Sequence, residues 1–197
     1  MASERPIQRV AALMLAAGYS RRFGRDKRRL RLADGRSLLC ASLALPYALL
    51  DDVWLVLRPD DDVDELALPP GARLVQHPTT KQGMGYSLAA GIARLQAESP
   101  AQAVAIFLAD MPAIRQDSLA ALLREADAKS IVQPAYRGSG GHPVLFGRDF
   151  WPQLTTLSGD AGARTVLLHN ADAVRLVELD DPGVLQDIDT QEDLAQL

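Results

Sequence analysis

VAALMLAAGYSRRFGRDKRRLR, residues 10–31, opens on six apolar positions, narrows to Ala16-Ala17-Gly18, and then carries seven Lys or Arg in its last eleven positions. A short apolar run closed by small residues reads as a buried strand entering a tight turn. The 197-residue chain has a formal net charge of −4, so this basic segment is a local exception. Placed charge of that kind calls for an anionic counterpart.

Similar β-branched or apolar runs recur at Val53 to Leu57, Arg73 to Gln76, Val104 to Leu108, Ile131 to Ala135, Val144 to Phe146 and Val174 to Leu179. Between them, Leu39-Leu43, Leu88-Ile92-Leu95, Leu119-Leu122-Leu123 and Ala163-Val166-Leu167 keep three- and four-residue spacing, which predicts helices. Alternating strands and helices predict an α/β fold of three layers, Rossmann-like, with a mostly parallel sheet covered on both faces. Val10 to Leu15 is then the first strand, and the basic loop lies at its C-terminal end, where open α/β sheets bind ligands. Length and a 48% hydrophobic composition predict one domain over residues 1–197. Arg137 to Pro143 reads as a flexible loop preceding an antiparallel excursion from the main sheet. The acidic run Asp60 to Glu65 reads as a solvated first helical turn without a chemical role.

Several classes are disfavoured. Cys40 is the single cysteine and has no internal disulfide partner, and MASERPIQRV lacks the apolar core of a signal peptide, so a cytoplasmic location is expected. VAALMLAAG and VAIFLA fall short of the roughly 20 apolar residues of a membrane helix, so no membrane association is expected. The arginine cluster lacks interleaved aromatics beyond Tyr19 and Phe23, which argues against nucleic acid as partner. His77, His142 and His169 do not have zinc-ligand spacing, and neither a P-loop, a Gly-x-Gly-x-x-Gly fingerprint nor a Gly-x-Ser-x-Gly elbow is present. Cys40, Trp54 and Trp151 read as core or boundary residues.

What remains is phosphate chemistry. Gly18 and Gly24 permit backbone N–H groups to face anionic oxygens, and Arg22 and Lys27 add full charges to the same loop. The competing account is a strand-to-helix turn with a solvated arginine face. In either account Arg25, Arg28 and Arg29 are expected to be solvated and tolerant of change. Asp110 ends an apolar strand and is followed by Met111-Pro112, a position suited either to a hard divalent cation or to capping a turn. Asp187 and Asp189 share a face if the segment is extended. Asp189 or Thr190 serves equally as an N-cap with Glu192-Asp193 in the first helical turn. Asp160 admits the same two readings, N-cap or substrate contact.

Leu15-Ala16-Ala17-Gly18-x-Ser20-x-Arg22-Phe23-Gly24-x-x-Lys27 resembles the L-A-A-G-x-S-x-R-M-G-x-x-K signature of the MobA-like NTP transferase family, nucleotidyltransferases related to the molybdenum-cofactor enzymes. Phe23 stands for the family's methionine and Arg31 for a proline it often has. Leu108-Ala109-Asp110-Met111-Pro112 resembles its L-G-D-[MQ]-P element, and Asp187-Ile188-Asp189-Thr190-Gln191-Glu192-Asp193-Leu194 its D-[IV]-D-T-P-E-D-L ending. His77-Pro78 and Gln82-Gly83-Met84-Gly85-Tyr86-Ser87-Leu88 resemble its N-P…E-G-M-x-x-S-L element. Gly141-His142-Pro143-Val144-Leu145-Phe146 and Ser158-Gly159-Asp160-Ala161-Gly162-Ala163-Arg164 resemble elements of its cytidylyltransferase branch.

The resemblance implies the nucleotide-diphospho-sugar transferase type of fold and transfer of CMP from CTP to molybdenum cofactor (molybdopterin) with release of pyrophosphate. It implies catalytic roles for Arg22, Lys27 and Asp110, and Mg²⁺, or Mn²⁺ in its place, on Asp110 and Asp189, with Asp189 favoured over Asp187. Nucleotide binding falls to Leu15, Ala16, Ala17, Gly18, Ser20, Gly24, Gly83, Met84 and Ser87. Pterin contacts fall to His142, Pro143, Gly159, Asp160 and Arg164, and a recipient molybdoenzyme is the implied downstream partner. The alternatives are guanylyl transfer to molybdopterin, cytidylyl transfer to methylerythritol phosphate, a non-catalytic molybdenum cofactor carrier, and an RNA-binding module.

Overall fold

The computed structural model describes residues 9–19, 26–190 and 193. Its strands are β1 (Val10–Leu15), β2 (Val53–Leu57), β3 (Arg73–Gln76), β4 (Ala103–Leu108), β5 (Ile131–Tyr136), β6 (Ser139–Gly140), β7 (Val144–Gly147) and β8 (Val174–Glu178). They form one sheet in the order β3-β2-β1-β4-β7-β5-β6, with β8 paired to β5. The run β3-β2-β1-β4 is parallel, and β7 enters antiparallel between β4 and β5. β8 returns to a parallel pairing with β5.

Residues alternate across each strand, which makes two cores from one apolar run. Val10, Ala12 and Met14 of β1 face α1 (Leu38–Leu49) and α3 (Gln116–Glu125) through Leu39, Leu43, Leu119 and Leu122. Ala11 and Leu13 face α2 (Met84–Glu98) and α4 (Trp151–Thr155) through Leu88, Ile92, Leu95 and Leu154. The short α5 (Arg164–His169) adds Val166 to that second core. Because central strands are covered on both faces, they read as continuous hydrophobic sequence. Trp54 and Trp151 are core residues as expected, and Cys40 is half-buried on α1. Among the described residues no helix is long and apolar enough to cross a membrane.

The antiparallel excursion expected after residue 143 is β7. The preceding stretch, expected to be a flexible loop, is instead a tight turn. Arg137 and Gly138 take φ of 50° and 78°, and Tyr136 pairs with Ser139 across it. Glycine relieves the steric cost of that turn at its second position only.

Beyond β8 the chain returns to the C-terminal end of β4, and a buried carboxylate fastens it there. Asp181 is 2% exposed and accepts hydrogen bonds from the Arg115 N–H at 3.0 Å, the Ser118 hydroxyl at 2.6 Å and the Gly183 N–H at 3.0 Å. Asp181→Ala should therefore cost on the order of 3 kcal/mol in urea denaturation, because buried donors lose their acceptor. Asp181→Asn should recover part of that loss.

Candidate active site

Strand register brings the site together. Leu15 of β1 pairs with Leu108 of β4, so Ala16-Ala17-Gly18 and Ala109-Asp110 leave the sheet side by side. The sheet changes direction of growth at β1, with β2 on one side and β4 on the other, which is where α/β sheets open a ligand crevice. The returning tail supplies a third wall. The Ile188 N–H donates to the Asp110 carbonyl at 3.0 Å, and the Ile188 side chain is buried against Leu30 and Leu38.

That docking places two carboxylates on one ammonium. Lys27 Nζ lies 2.7 Å from Asp110 Oδ2 and 2.9 Å from Asp189 Oδ1. Burial alone lowers the Lys27 pKa, but the hydrogen bonds and charges of Asp110 and Asp189 more than offset it and hold the ammonium protonated. Neither carboxylate is spent on capping. The Thr190 hydroxyl accepts from the Asp193 N–H at 3.2 Å, and Asp193 Oδ2 accepts from the Asp189 and Thr190 N–H groups at 3.0 and 2.7 Å. This reciprocal cap leaves the Asp189 carboxylate facing Lys27. Helix α3 starts after Arg115 without a side-chain cap, and Asp110 Oδ1 is buried with no hydrogen-bond partner among the described residues. Asp187 is held above the usual carboxylate range by burial, then by the charges of Asp189 and Asp110.

The cleft beside this cluster has a volume of about 650 Å³. Its lining combines Leu15, Ala16, Ala17 and Gly18 after β1, Lys27 and Arg28 of the basic segment, Asp110 and Asp189, and Gly83, Met84, Ser87 and Asp160. Gly83 has φ of 134°, and a Cβ there would overlap the Gly159 carbonyl and stand 2.7 Å from Asp160 Oδ1. Only glycine allows the two loops to touch. The Gly85 N–H seals the contact by donating to the Gly159 carbonyl at 2.8 Å. The Ser87 hydroxyl stands 3.3 Å from the Thr80 carbonyl oxygen and 3.2 Å from that of Gly83, so it ties its own loop together. Asp160 is not the cap of α5, which begins after Ala163 without a side-chain cap.

Other expected site residues lie off the cleft lining. Gly159 supports Gly83 from behind, Arg164 is exposed at the start of α5, and Pro143 is buried. The His142 N–H donates to the Val184 carbonyl at 2.8 Å, and its Nδ1 is buried without a partner. Burial lowers the His142 pKa, opposed by the charge of Asp110, the Ile106 backbone and the charge of Asp187. Ser20, Arg22 and Gly24 lie outside the described residues.

Two expectations fail here. Arg28, expected to be solvated, is 4% exposed and is a hub of ion pairs at the cleft wall. Its guanidinium pairs with Asp26 at 2.7 Å and Asp61 at 2.6 Å, and Nη1 also donates to the Ala16 carbonyl at 2.8 Å. Asp61 therefore leaves the solvated acidic run to which it was assigned; its side chain is 6% exposed. The signal available in the sequence was position: the acidic run follows β2, at the sheet edge where the basic loop follows β1.

Lys27 between two carboxylates at the switch point of a mostly parallel sheet marks the candidate site of an α/β nucleotidyltransferase fold. Residues 12–174 match the MobA-like NTP transferase domain, and the chain belongs to that family. It is 32% identical over 193 residues to the purine catabolism protein PucB of Bacillus subtilis, covering 92% of each chain. It is 28% identical over 199 aligned positions to the nicotine blue oxidoreductase of Paenarthrobacter nicotinovorans, covering 95% of this chain and 96% of that one. A probable molybdenum cofactor guanylyltransferase of Synechococcus elongatus is 37% identical over 89 residues, 45% of each chain. Among solved structures, the homologue of Rv0371c from Mycobacterium sp. strain JC1 superposes with TM-score 0.81 at 29% identity, covering 95% of this chain and 94% of that one. The manganese complex of Rv0371c from Mycobacterium tuberculosis does so with TM-score 0.80 at 25% identity, covering 97% and 98%.

The donor chemistry fits a hard divalent cation. Among the described residues no group of three or more His, Cys, Asp or Glu side chains forms a metal cage. Two carboxylates, one with an unpartnered buried oxygen, are what Mg²⁺ uses when substrate phosphates complete its shell. Lys27→Met should leave Asp110 and Asp189 repelling each other and lower stability by about 1 kcal/mol without divalent ions. Added Mg²⁺ should then raise the melting temperature of Lys27→Met more than that of the parent protein.

Proposed function

We propose that this chain transfers CMP from CTP to the terminal phosphate of the molybdenum cofactor and releases pyrophosphate. The observation that carries the reading is Lys27 drawn onto Asp110 and Asp189 in a cleft that the Ala16-Ala17-Gly18 loop also lines. Two features support the choice of substrates: the cytidylyl-type elements at Gly141 to Phe146 and Ser158 to Arg164, and a relative named as a probable molybdenum cofactor guanylyltransferase.

In this reading an acceptor phosphate oxygen attacks the α-phosphorus of CTP. The bond to the bridging oxygen breaks, and pyrophosphate leaves with the electron pair. The nucleophile is already anionic, so no residue has to act as a general base. The protein's task is positioning and neutralisation of charge. Mg²⁺, or Mn²⁺ in its place, would be held by Asp110 and Asp189 and, when bound, supplies the divalent charge that the clustered phosphates require. Lys27 and Arg22 neutralise charge that builds on the departing pyrophosphate, next to the Gly18 loop and its neighbours Ser20 and Gly24. Gly83 and Met84 form the wall for nucleobase and ribose, with Ser87 holding that wall's shape. The contact of Gly159 with Gly83 and Gly85 fixes the shape of this wall, and in this reading the pocket it bounds takes a pyrimidine rather than a purine. His142, Pro143, Asp160 and Arg164 belong to the acceptor side.

Guanylyl transfer is the second reading, favoured by the name of that same relative. Pyrophosphate release measured with each nucleoside triphosphate, with and without molybdenum cofactor, separates the possibilities. CTP with the cofactor should give the fastest release. GTP equal to or better than CTP would overturn the nucleotide assignment, and tight cofactor binding without release would indicate a carrier. Asp110→Ala and Asp189→Ala should each lower turnover by about 100-fold or more, and the double variant should resemble the worse single, because both carboxylates act on one ion. Asp187→Ala should stay within a few-fold of the parent.

A further inference from the structure

Where Arg28 lines the cleft beside Lys27, four charged side chains close on one another. Arg28 forks onto Asp61, with Nη1–Oδ2 and Nη2–Oδ1 both 2.6 Å. The same guanidinium grips Asp26, with Nε–Oδ1 at 2.9 Å and Nη2–Oδ2 at 2.7 Å. Arg58 Nη1 reaches Asp26 Oδ2 at 3.0 Å, its Nη2 donates to the Gly18 carbonyl, and its backbone N–H donates to Asp61 Oδ2 at 2.9 Å. Its guanidinium also lies 4.5 Å from the centroid of the Tyr19 ring. Among the described residues the two guanidiniums are thus each paired with carboxylate, and Arg29 Nε stands 3.8 Å from Asp26 as well.

A buried ion pair is a poor device for stability, since the desolvation of its members roughly cancels their attraction, and geometry is the better-supported reason to keep one. Here the geometry is anchored to backbone. Arg28 holds the Ala16 carbonyl at 2.8 Å, and Asp26 accepts the Arg28 N–H at 3.2 Å as N-cap of the 3₁₀ turn Lys27–Arg29. Lys27 is therefore flanked on both sides by residues that the network pins to the ends of β1 and β2. Its long, flexible stem would otherwise sample many directions at considerable entropic cost.

We propose that Arg28, clamped by Asp26 and Asp61, is a positioning residue that aims the Lys27 ammonium at the phosphate end of the cleft. This rests on the reading of Lys27 as a phosphate-binding group. The role needs the planar fork of arginine: a lysine at the same place brings the charge and three donors on one nitrogen, but cannot make paired, parallel hydrogen bonds to each of two carboxylates from separate nitrogens. Positioning through Lys27 has a signature that simple support of the fold lacks, which is dependence on Lys27 itself.

The test pairs Arg28→Lys and Asp61→Asn with Lys27→Met, reading pyrophosphate release for kcat/KM and calorimetric CTP affinity in every background. Asp61→Asn keeps the side chain's size, so a folded variant is available even if Arg28→Lys does not fold. In the parent background each should lower kcat/KM and CTP affinity by about 10-fold. In the Lys27→Met background each should change CTP affinity by less than about 2-fold, since no ammonium remains to be aimed. Equal losses of affinity in both backgrounds, or parent-like behaviour of both variants, would overturn the proposal while leaving the functional reading intact. Parent-like turnover of Lys27→Met would instead overturn the functional reading, and the proposal with it.

Discussion

One ammonium group joins the two ends of this chain. Lys27 and Asp189 are 162 positions apart, and Asp110 comes from the middle, yet both carboxylates lie within 2.9 Å of one nitrogen. Two carboxylates at one site repel until a cation separates them, so the closed arrangement depends on Lys27. Much of the surrounding fold serves to deliver these three groups. Parallel pairing of β1 with β4 sets the Lys27 and Asp110 loops side by side. Buried Asp181 and the Ile188 N–H bring the tail back to the same edge.

The basic segment in an acidic chain finds much of its counterpart inside the molecule. Lys27 meets Asp110 and Asp189, Arg28 meets Asp26 and Asp61, and Arg29 meets Glu65 at 2.8 Å. Local positive charge is thus divided between an ammonium held by two carboxylates and a guanidinium that also grips backbone at the end of β1. The division has a physical basis. A flexible ammonium can exchange one oxygen partner for another, whereas a guanidinium fork fixes the geometry of what it grips.

The central strands were legible in the sequence because both faces of the sheet are covered, which leaves apolar runs such as Val10 to Leu15 and Val53 to Leu57 unbroken. Their ends differ by a residue or so where neighbours extend the ladder, as at Ala103 and Tyr136. Asp110 and Asp189 were legible as candidate cation ligands from their motifs, but their convergence depends on strand order, which local pattern does not contain. Arg28, Asp61 and Asp181 were missed for a common reason. Arg28 and Asp61 sat in charge runs that read as solvated, Asp181 carried no motif at all, and each of these side chains is buried by a partner distant in sequence. The turn at Arg137-Gly138 was misread because glycine-rich composition marks both mobile loops and tight turns.

A crystal structure of the protein with CTP and Mn²⁺, read by anomalous scattering at the manganese edge, tests the central claim most directly. The account predicts an anomalous peak between Asp110 and Asp189, with the nucleotide's phosphates beside the Ala16-Ala17-Gly18 loop and Lys27 Nζ moved onto a phosphate oxygen. Nucleotide bound elsewhere, with Lys27 still held by both carboxylates and no peak between them, would contradict it.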